Sequence, residues 1–324
     1  MFFAEEVFMD KRVLSIVVPC YNEEAVLPAF YEEISKTAGL LSDRVDCEFL
    51  FIDDGSVDST LTMIKQYADA DARVHYVSFS RNFGKEAGIY AGLQNAVGDY
   101  VVVMDADLQH PPEYLSEMLD GIQSGEYDSV AMRRLDRKGE RKVRAWFSGL
   151  FYKLNRKISG VDIPEGATDF RMMTRRMVEA VLSLQEVNRF TKGIFTWVGF
   201  RTKWISYHNV ERTAGETKWS FWSLLKYSLN GIVAFSTVPL AIASVLGTIC
   251  CVIALLTVVF FVLKTLIWGD PVAGFPTLIT VILFLGGIQL LMIGILGQYL
   301  SKTYMEVKHR PVYISREEKV GRKE

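Results

Sequence analysis

Cysteine is scarce in this chain: there are four in 324 residues, and no C-x-x-C pair. Cys20 and Cys47 stand far apart, and Cys250 and Cys251 lie in an apolar run. That gives no disulfide framework, and reduced, cytosol-facing thiols are expected. No G-x-G-x-x-G follows the first apolar run, so a Rossmann dinucleotide site is a poor fit. There is no internal repeat and no low-complexity tract. The opening residues, M-F-F-A-E-E-V-F-M-D, carry acids where a signal peptide needs a basic region, and no cleaved targeting segment is expected. Charge is missing altogether from residues 231–263 and 271–301, runs of 33 and 31 residues. Each exceeds the ~20 residues that span a bilayer. A pair of buried core helices is the alternative, disfavoured at these lengths. The link 264–270 is too short for a domain, so the runs read as a transmembrane hairpin with spans at about 232–264 and 273–301.

The charge that is present is divided. The formal net charge of −2 hides 24 acids against 8 Lys/Arg in residues 1–130, and 14 against 28 in the remainder. A basic second half suggests an anionic partner, either nucleic acid or a phospholipid surface, and the hairpin favours the membrane. Residues 133–157 hold ten Lys/Arg against Asp136 and Glu140, with Val143, Phe147, Leu150, Leu154 and Ile158 at helical spacing and Trp146, Phe151 and Tyr152 beside them. Such a basic amphipathic helix suits a membrane interface; an ordinary solvated surface helix is the other reading. Lys218 and Lys226 precede the hairpin, and Lys302, Lys308, Arg310, Arg316, Lys319, Arg322 and Lys323 follow it. By the positive-inside rule both termini and the polar part of the chain are cytoplasmic.

Apolar runs and helical spacing alternate through the first half. Residues 13–19, 47–52, 74–79, 101–104 and 128–132 read as strands; 23–41, a segment opening at Asp58-Ser59-Thr60, 83–97 and a segment opening at Pro111-Pro112-Glu113 read as helices. Residues 167–173 form a further short strand carrying a lone acid, 175–184 a helix and 200–210 a last strand. This pattern predicts an α/β fold, a mostly parallel sheet with helices on both faces, followed by the two-helix hairpin. Three strands end in polar clusters: Tyr21-Asn22-Glu23, Asp53-Asp54-Gly55-Ser56 and Asp105-Ala106-Asp107. Turn chemistry explains any one of them. Three along one sheet edge look like a ligand site, because ligands of open α/β sheets bind beyond the carboxyl ends of the strands.

The central cluster stands in V-V-V-M-D-A-D-L-Q, residues 101–109. Period-two geometry leaves one side chain between Asp105 and Asp107, so both can address one ion. Hard carboxylate oxygens together with a diphosphate suit Mg²⁺ or Mn²⁺. The competing reading is an acidic N-cap for the Pro111 helix.

Taken together, these stretches resemble the family 2 glycosyltransferases that load a sugar onto a polyprenyl phosphate, of the bactoprenol glucosyltransferase and dolichol-phosphate mannose synthase type. The matching blocks are V-P-C-Y-N-E-E at Val18, D-D-G-S at Asp53, S-R-N-F-G-K-E-A at Ser80, D-A-D-L-Q at Asp105, A-T-D-F-R at Ala167, N-R-F at Asn188 and R-T-A-G-E-T-K at Arg212. Their order and spacing together are specific, and they cover nearly the whole chain. The resemblance implies a GT-A fold over residues 1–212, a juxtamembrane loop and interfacial helix at 213–230, the hairpin at 231–303 and a basic cytoplasmic tail at 304–324. It implies a nucleotide-sugar donor, a polyprenyl-phosphate acceptor in a lipid bilayer, a divalent Mg²⁺ or Mn²⁺, and a separate flippase and downstream glycosyltransferase. No nucleic-acid partner is expected.

Carried over residue by residue, Pro19, Tyr21 and Glu23 contact the nucleoside, with Asp54 nearby and Gly84 and Lys85 flanking the base or ribose. Asp105 holds the ribose and approaches the metal, with Ala106 against the nucleotide sugar. Asp107 and Gln109 hold the metal. Arg133, Arg212 and Lys218 hold the diphosphate and the lipid phosphate, and Arg144 matches an acceptor-phosphate arginine. Asp169 is the candidate base or sugar-orienting acid; a structural pair with Arg171 or Arg175 is its alternative. The processive relatives carry Q-x-x-R-W, whereas this chain reads Gln185-Glu186-Val187-Asn188-Arg189-Phe190, with the wrong spacing. Single transfer, inverting an α-linked hexose, is therefore expected. UDP-glucose is the preferred donor, with GDP-mannose and UDP-GlcNAc or a processive synthase as alternatives. Small residues such as Gly286 and Gly287 on the hairpin suggest a symmetric homo-oligomer.

Overall fold

The computed structural model describes residues 11–134, 164, 166–207, 238–268 and 274–321. In chain order the elements are β1 (Val13–Cys20), α1 (Leu27–Leu41), β2 (Asp46–Asp53), α2 (Thr60–Ala70), β3 (Val74–Phe79), α3 (Lys85–Asn95), β4 (Tyr100–Val103), α4 (Tyr114–Gln123), β5 (Ser129–Arg134), β6 (Ala167–Thr174), α5 (Arg175–Ser183), α6 (Thr191–Trp197), β7 (Thr202–Tyr207), α7 (Val238–Trp268), α8 (Phe275–Val307) and β8 (Ser315–Lys319). The strands form one sheet in the order β7-β5-β6-β4-β1-β2-β3-β8. Strands β1 to β4 pair in parallel and β5 pairs in parallel with β7, while β6 and β8 run antiparallel to their neighbours.

The apolar runs of β1, β2 and β4 are buried on both sides because helices cover both faces. Ile16, Val18, Phe49, Phe51 and Val102 face Phe30 and Ile34 of α1 and Leu115 and Met118 of α4. The alternate residues, Val17, Leu50, Ile52, Val101 and Val103, face Ile89 and Leu93 of α3 and Met177, Val181, Ile194 and Phe195 of α5 and α6. Period-two alternation thus sorts one apolar run into two cores.

Helix α3 lies against β1 through glycines. A Cβ at Gly92 would overlap Val17 Cγ1 and sit 3.2 Å from Val17 Cβ, and one at Gly88 would sit 3.3 Å from Pro19 Cβ. Val17 is fully buried, so it has no room to yield. Gly92→Ala is expected to destabilise the fold by about 1–3 kcal/mol, the usual range for overpacking a core. Thermal unfolding of the full-length protein in detergent reads this as a fall in Tm of several degrees. An unchanged Tm would mean that α3 and β1 can separate freely.

The last strand, S-R-E-E-K, carries no apolar alternation, and its sequence pattern predicts no strand there. Strand β8 nevertheless closes the β3 edge, with Tyr76 opposite Lys319 and Ser78 opposite Glu317. Lys65 pairs with Glu317 at 2.6 Å, and Tyr313 stacks on Phe79 at a centroid distance of 4.8 Å. The chain therefore returns to the sheet after α8, and residues on both sides of the hairpin belong to one layer.

Helices α7 and α8 have 31 and 33 residues. At 1.5 Å per residue each exceeds the roughly 30 Å of a hydrocarbon core. Both present exposed large apolar side chains, among them Ile242, Val245, Leu256, Phe260, Phe284, Leu291 and Leu296. They are long and apolar enough to cross a membrane.

Candidate active site

Parallel strands β1, β2 and β4 deliver their carboxyl ends to one edge of the sheet, and the three polar clusters meet there. The first two clusters interlock. Asn22 N donates to Ser56 Oγ at 3.0 Å, Val57 N to Asn22 Oδ1 at 2.9 Å, and Glu23 N to Thr60 Oγ1 at 2.8 Å. Tyr21 stands out from this edge, 39% exposed. Asp53 accepts Ser56 N at 3.1 Å and Ser78 Oγ at 2.7 Å. Asp54 accepts Phe83 N at 2.6 Å and Gly84 N at 2.9 Å, one with each carboxylate oxygen. Its burial raises its carboxyl, and those two amides work against the rise. Asp54 therefore shapes the S-R-N-F-G loop. Gly55 beside it has φ +67, and a Cβ there would lie 2.5 Å from the Arg81 carbonyl carbon.

The D-A-D segment is a turn, not a strand. Strand β4 stops at Val103, so period-two geometry does not govern Asp105 and Asp107. Asp107 Oδ1 accepts Gln109 N at 3.1 Å, and Leu108 between them has φ +57, a left-handed conformation that costs a branched side chain energy. Neither acid caps the following helix: α4 begins at Tyr114 with Glu113 at its N-cap. The capping alternative thus fails on position alone. Gln109 Oε1 accepts Arg134 Nη2 at 3.3 Å.

One cation joins two of the acids. Lys85, the first residue of α3, follows Gly84, whose φ of +97 turns the chain into the helix. Its Nζ lies 2.7 Å from Asp105 Oδ1 and 2.8 Å from Asp169 Oδ2. Asp169 stands near the start of β6. Because β6 runs antiparallel between β4 and β5, its beginning falls at the edge where β4 ends. Lys192 of α6 approaches Asp169 Oδ1 at 3.9 Å and donates to Ala167 O at 3.2 Å. The alternative of an Asp169 pair with Arg171 or Arg175 does not hold. Arg171 donates to Ser129 Oγ at 3.1 Å and lies over the Phe195 and Trp204 rings, and Arg175 donates to Ala96 O and Gly98 O.

The charges set the protonation states. Burial alone would raise Asp169, but Lys192 and Lys85 outweigh it and hold the carboxyl well below the ordinary range. Burial would lower Lys85, yet Asp105 and Asp169 keep its ammonium well above the usual lysine range. Burial would raise Asp105 as well, but Lys85 outweighs it and Asp105 is likewise lowered. The Lys85 side chain retains 44% of its accessible surface, so water screens part of these attractions.

Three groups here are not among the expected site residues. His110 is 3% exposed, stacks on Phe170 at 5.1 Å, and accepts Asp105 N at Nδ1, 3.3 Å away. Burial depresses its pKa, consistent with a neutral ring whose Nδ1 is an acceptor. Glu86 receives both the amide and the hydroxyl of Thr191. Lys192 lies on a seven-residue helix, two residues beyond the N-R-F block. His110 directly follows the D-A-D-L-Q block, and that adjacency is the available signal. Of the expected phosphate-binding residues, Arg133 is penultimate in β5 and donates to Ser206 Oγ at 2.7 Å. Arg144, Arg212 and Lys218, with the amphipathic segment 133–157 beyond Arg134, lie outside the described residues.

A helix-covered, mostly parallel sheet gathers acids, a bridging lysine and an acidic turn at its strand ends, the edge where open α/β sheets bind their ligands. A profile of glycosyl transferase family 2 matches residues 15–182. The chain is 42% identical over 301 residues to the prophage bactoprenol glucosyl transferase homolog of Escherichia coli (strain K12), covering 93% of this chain and 97% of that one. It is 42% identical over 306 residues to the bactoprenol glucosyl transferase of Shigella phage SfV, covering 94% and 99%. The chain belongs to glycosyl transferase family 2 and is a glycosyltransferase. A crystal structure of glucosyl-3-phosphoglycerate synthase from Mycobacterium tuberculosis with Mn²⁺ and UDP-glucose aligns at 21% identity and a TM-score of 0.45, over 68% of this chain and 77% of that one. A likeness that remote transfers no residue role or ligand to this chain.

Proposed function

We propose that the protein transfers one hexose, glucose from UDP-glucose, to polyprenyl phosphate at a membrane surface, with inversion at the anomeric carbon. The near full-length match to bactoprenol glucosyl transferases carries this reading. The sheet edge and the two apolar helices of the same chain support it. The polar layer and both termini face the cytoplasm in this reading, because the basic residues flank the hairpin on that side.

The acceptor phosphate is already an anion and needs no base to attack. Asp169, held ionised between two lysines, is a poor proton acceptor and is assigned to orienting the sugar. Lys85 fixes Asp105 and Asp169 relative to each other, and Arg133, penultimate in β5, is assigned to a phosphate. The carboxylates of Asp105 and Asp107 and the amide oxygen of Gln109 are hard oxygen donors in one turn, and they fit a divalent ion that shares its shell with a diphosphate. When bound, such an ion supplies charge neutralisation of the departing nucleoside diphosphate.

The assay is direct. Radiolabelled UDP-glucose, UDP-GlcNAc and GDP-mannose are offered with polyprenyl phosphate, and product is extracted into organic solvent. Label in the organic phase from UDP-glucose is expected. Absence of extractable label from every donor would overturn the transferase reading, and insoluble polymer would favour a processive synthase.

The charge states also set the pH profile. A phosphate monoester has its second ionisation at about 6, so turnover at saturating donor is expected to fall below about that pH. Asp169 contributes no limb there, since a carboxyl with a depressed pKa stays charged until well below it. A phosphonate acceptor, whose second ionisation is weaker, is expected to move the limb upward. A limb that stays in place would belong to a group on the protein.

A further inference from the structure

Glu306 stands in the last turns of α8, at the end of the second apolar helix. Its carboxylate accepts Val187 N at 3.1 Å through each oxygen and Asn188 N at 3.0 Å. These amides belong to the loop that joins α5 to α6. In the same loop Arg189 is buried, donates to Leu184 O and Val181 O, and lies 4.6 Å from the Tyr90 ring centroid. The N-R-F block is therefore a structural knot that closes α5 and directs the chain into α6. A cavity of about 720 Å³ opens beside it, with Tyr90, Gln94, Glu306, Arg310 and Tyr313 in its wall.

Immediately beyond this loop the chain enters the site. Thr191 N donates to Glu86 Oε2 at 2.8 Å, next to Lys85 on α3. Lys192 then faces Asp169. Helix α6 has only seven residues, too short to hold its own orientation in water. Its direction depends on its buried face, Ile194 and Phe195, and on what grips its flanks. The foot of α8 is itself fixed a second time, because the chain beyond it turns at His309 and enters the Phe79–Tyr313 stack and β8. A charge-assisted bond from a fixed helix to two adjacent amides is a strong grip on a short loop.

We propose that Glu306 is a positioning residue for sugar transfer. From the foot of α8 it holds the α5–α6 loop so that Lys192 meets Asp169, and so it ties the placement of the apolar hairpin to the assembly of the transfer site. The importance of the Lys192–Asp169 contact rests on the transferase reading above; the grip on the loop does not.

Two measurements on the full-length protein in lipid nanodiscs separate these parts. The first is amide hydrogen exchange with Glu306→Gln, which keeps the shape of the side chain and removes its charge. Residues 185–197 are expected to exchange at least five-fold faster, with β1, β2 and β4 unchanged. Equal protection in 185–197 would overturn the proposal whether or not the protein transfers sugar. The second is a double-mutant cycle on kcat with UDP-glucose and polyprenyl phosphate, using Glu306→Gln, Lys192→Met and both together. Each single change is expected to cut kcat about ten-fold with KM for the donor changed less than two-fold. The double variant is expected to be no slower than Lys192→Met. Multiplied effects would make Glu306 a general stabiliser and overturn the proposal. Glu306→Asp, one methylene shorter, serves if the Gln variant does not fold: it is expected to lose kcat while Lys192→Met masks the loss.

Discussion

Replacing Asp107 by asparagine is expected to lower transfer by about 10²–10³-fold, the scale of removing one group that stabilises developing charge, and to leave the fold intact. The two consequences separate because the turn and the chemistry use the side chain differently. The turn needs one oxygen of residue 107 to accept Gln109 N, and an asparagine oxygen does that as well. Leu108 can then stay at its left-handed φ. A divalent ion needs the charge, and losing a charged ligand weakens its hold and the neutralisation of the leaving diphosphate. Radiolabel transfer measured across a Mn²⁺ series, beside thermal unfolding, checks both halves. Partial recovery at high Mn²⁺ with an unchanged Tm is the expected pattern. Near-normal turnover at limiting Mn²⁺ would remove Asp107 from the metal site.

Lys85→Met is expected to act first on stability. Its Nζ sits between Asp105 and Asp169, and no other lysine in the described residues pairs with both. Removing it leaves two carboxylates of 29% and 16% side-chain exposure facing each other. Breaking a fully buried pair costs about 3–5 kcal/mol; the exposure of Lys85 reduces the expectation here to about 1–3 kcal/mol.

The sign of the pH dependence distinguishes this from loss of packing. In the native protein Asp169 has a depressed pKa, so its contribution is present above the unfolded carboxyl pKa and is lost as pH falls. In the variant, like charge and burial raise at least one of the two carboxyls above its unfolded value. That group favours the fold at low pH, and the benefit is lost as pH rises through its raised pKa. The Tm deficit of Lys85→Met relative to the native protein is therefore expected to be present already at pH 4.5, above the unfolded carboxyl pKa, and to widen by several degrees toward pH 7. A deficit independent of pH would mean that the lysine contributes packing rather than charge.

Much of the first half is legible because it is written locally. Strand β3 runs over Val74–Phe79, the very residues the apolar pattern marks, while β1 extends one residue further and β2 one residue at each end. Some helices begin later than the sequence suggests: the segment opening at Pro111 becomes regular only at Tyr114, and the one after Asn22 only at Leu27. At the second of these, polar residues of the strand-end loops satisfy backbone amides through side chains before helical bonding begins, as Thr60 does for Glu23 N. The D-A-D pair is legible as an acidic cluster at a strand end but not as a turn, since a single left-handed residue, Leu108, carries no sequence mark.

The sequence by itself determined the alternation of strands and helices, the acids at the strand ends, the length of the two apolar helices and, through the spacing of its blocks, the family. Each of these rests on periodicity or on residues adjacent in the chain. Only the tertiary structure decided that β6 enters the sheet antiparallel and brings Asp169 to the edge where β4 ends, that Lys85 bridges Asp105 and Asp169, that Arg171 turns instead to Phe195 and Trp204, and that β8 closes the sheet from beyond the hairpin. The physical reason is common to all of them. They are pairings between distant segments, set by which surfaces the two cores leave for one another and by which buried charge most needs a partner, and no local pattern in either segment records the other.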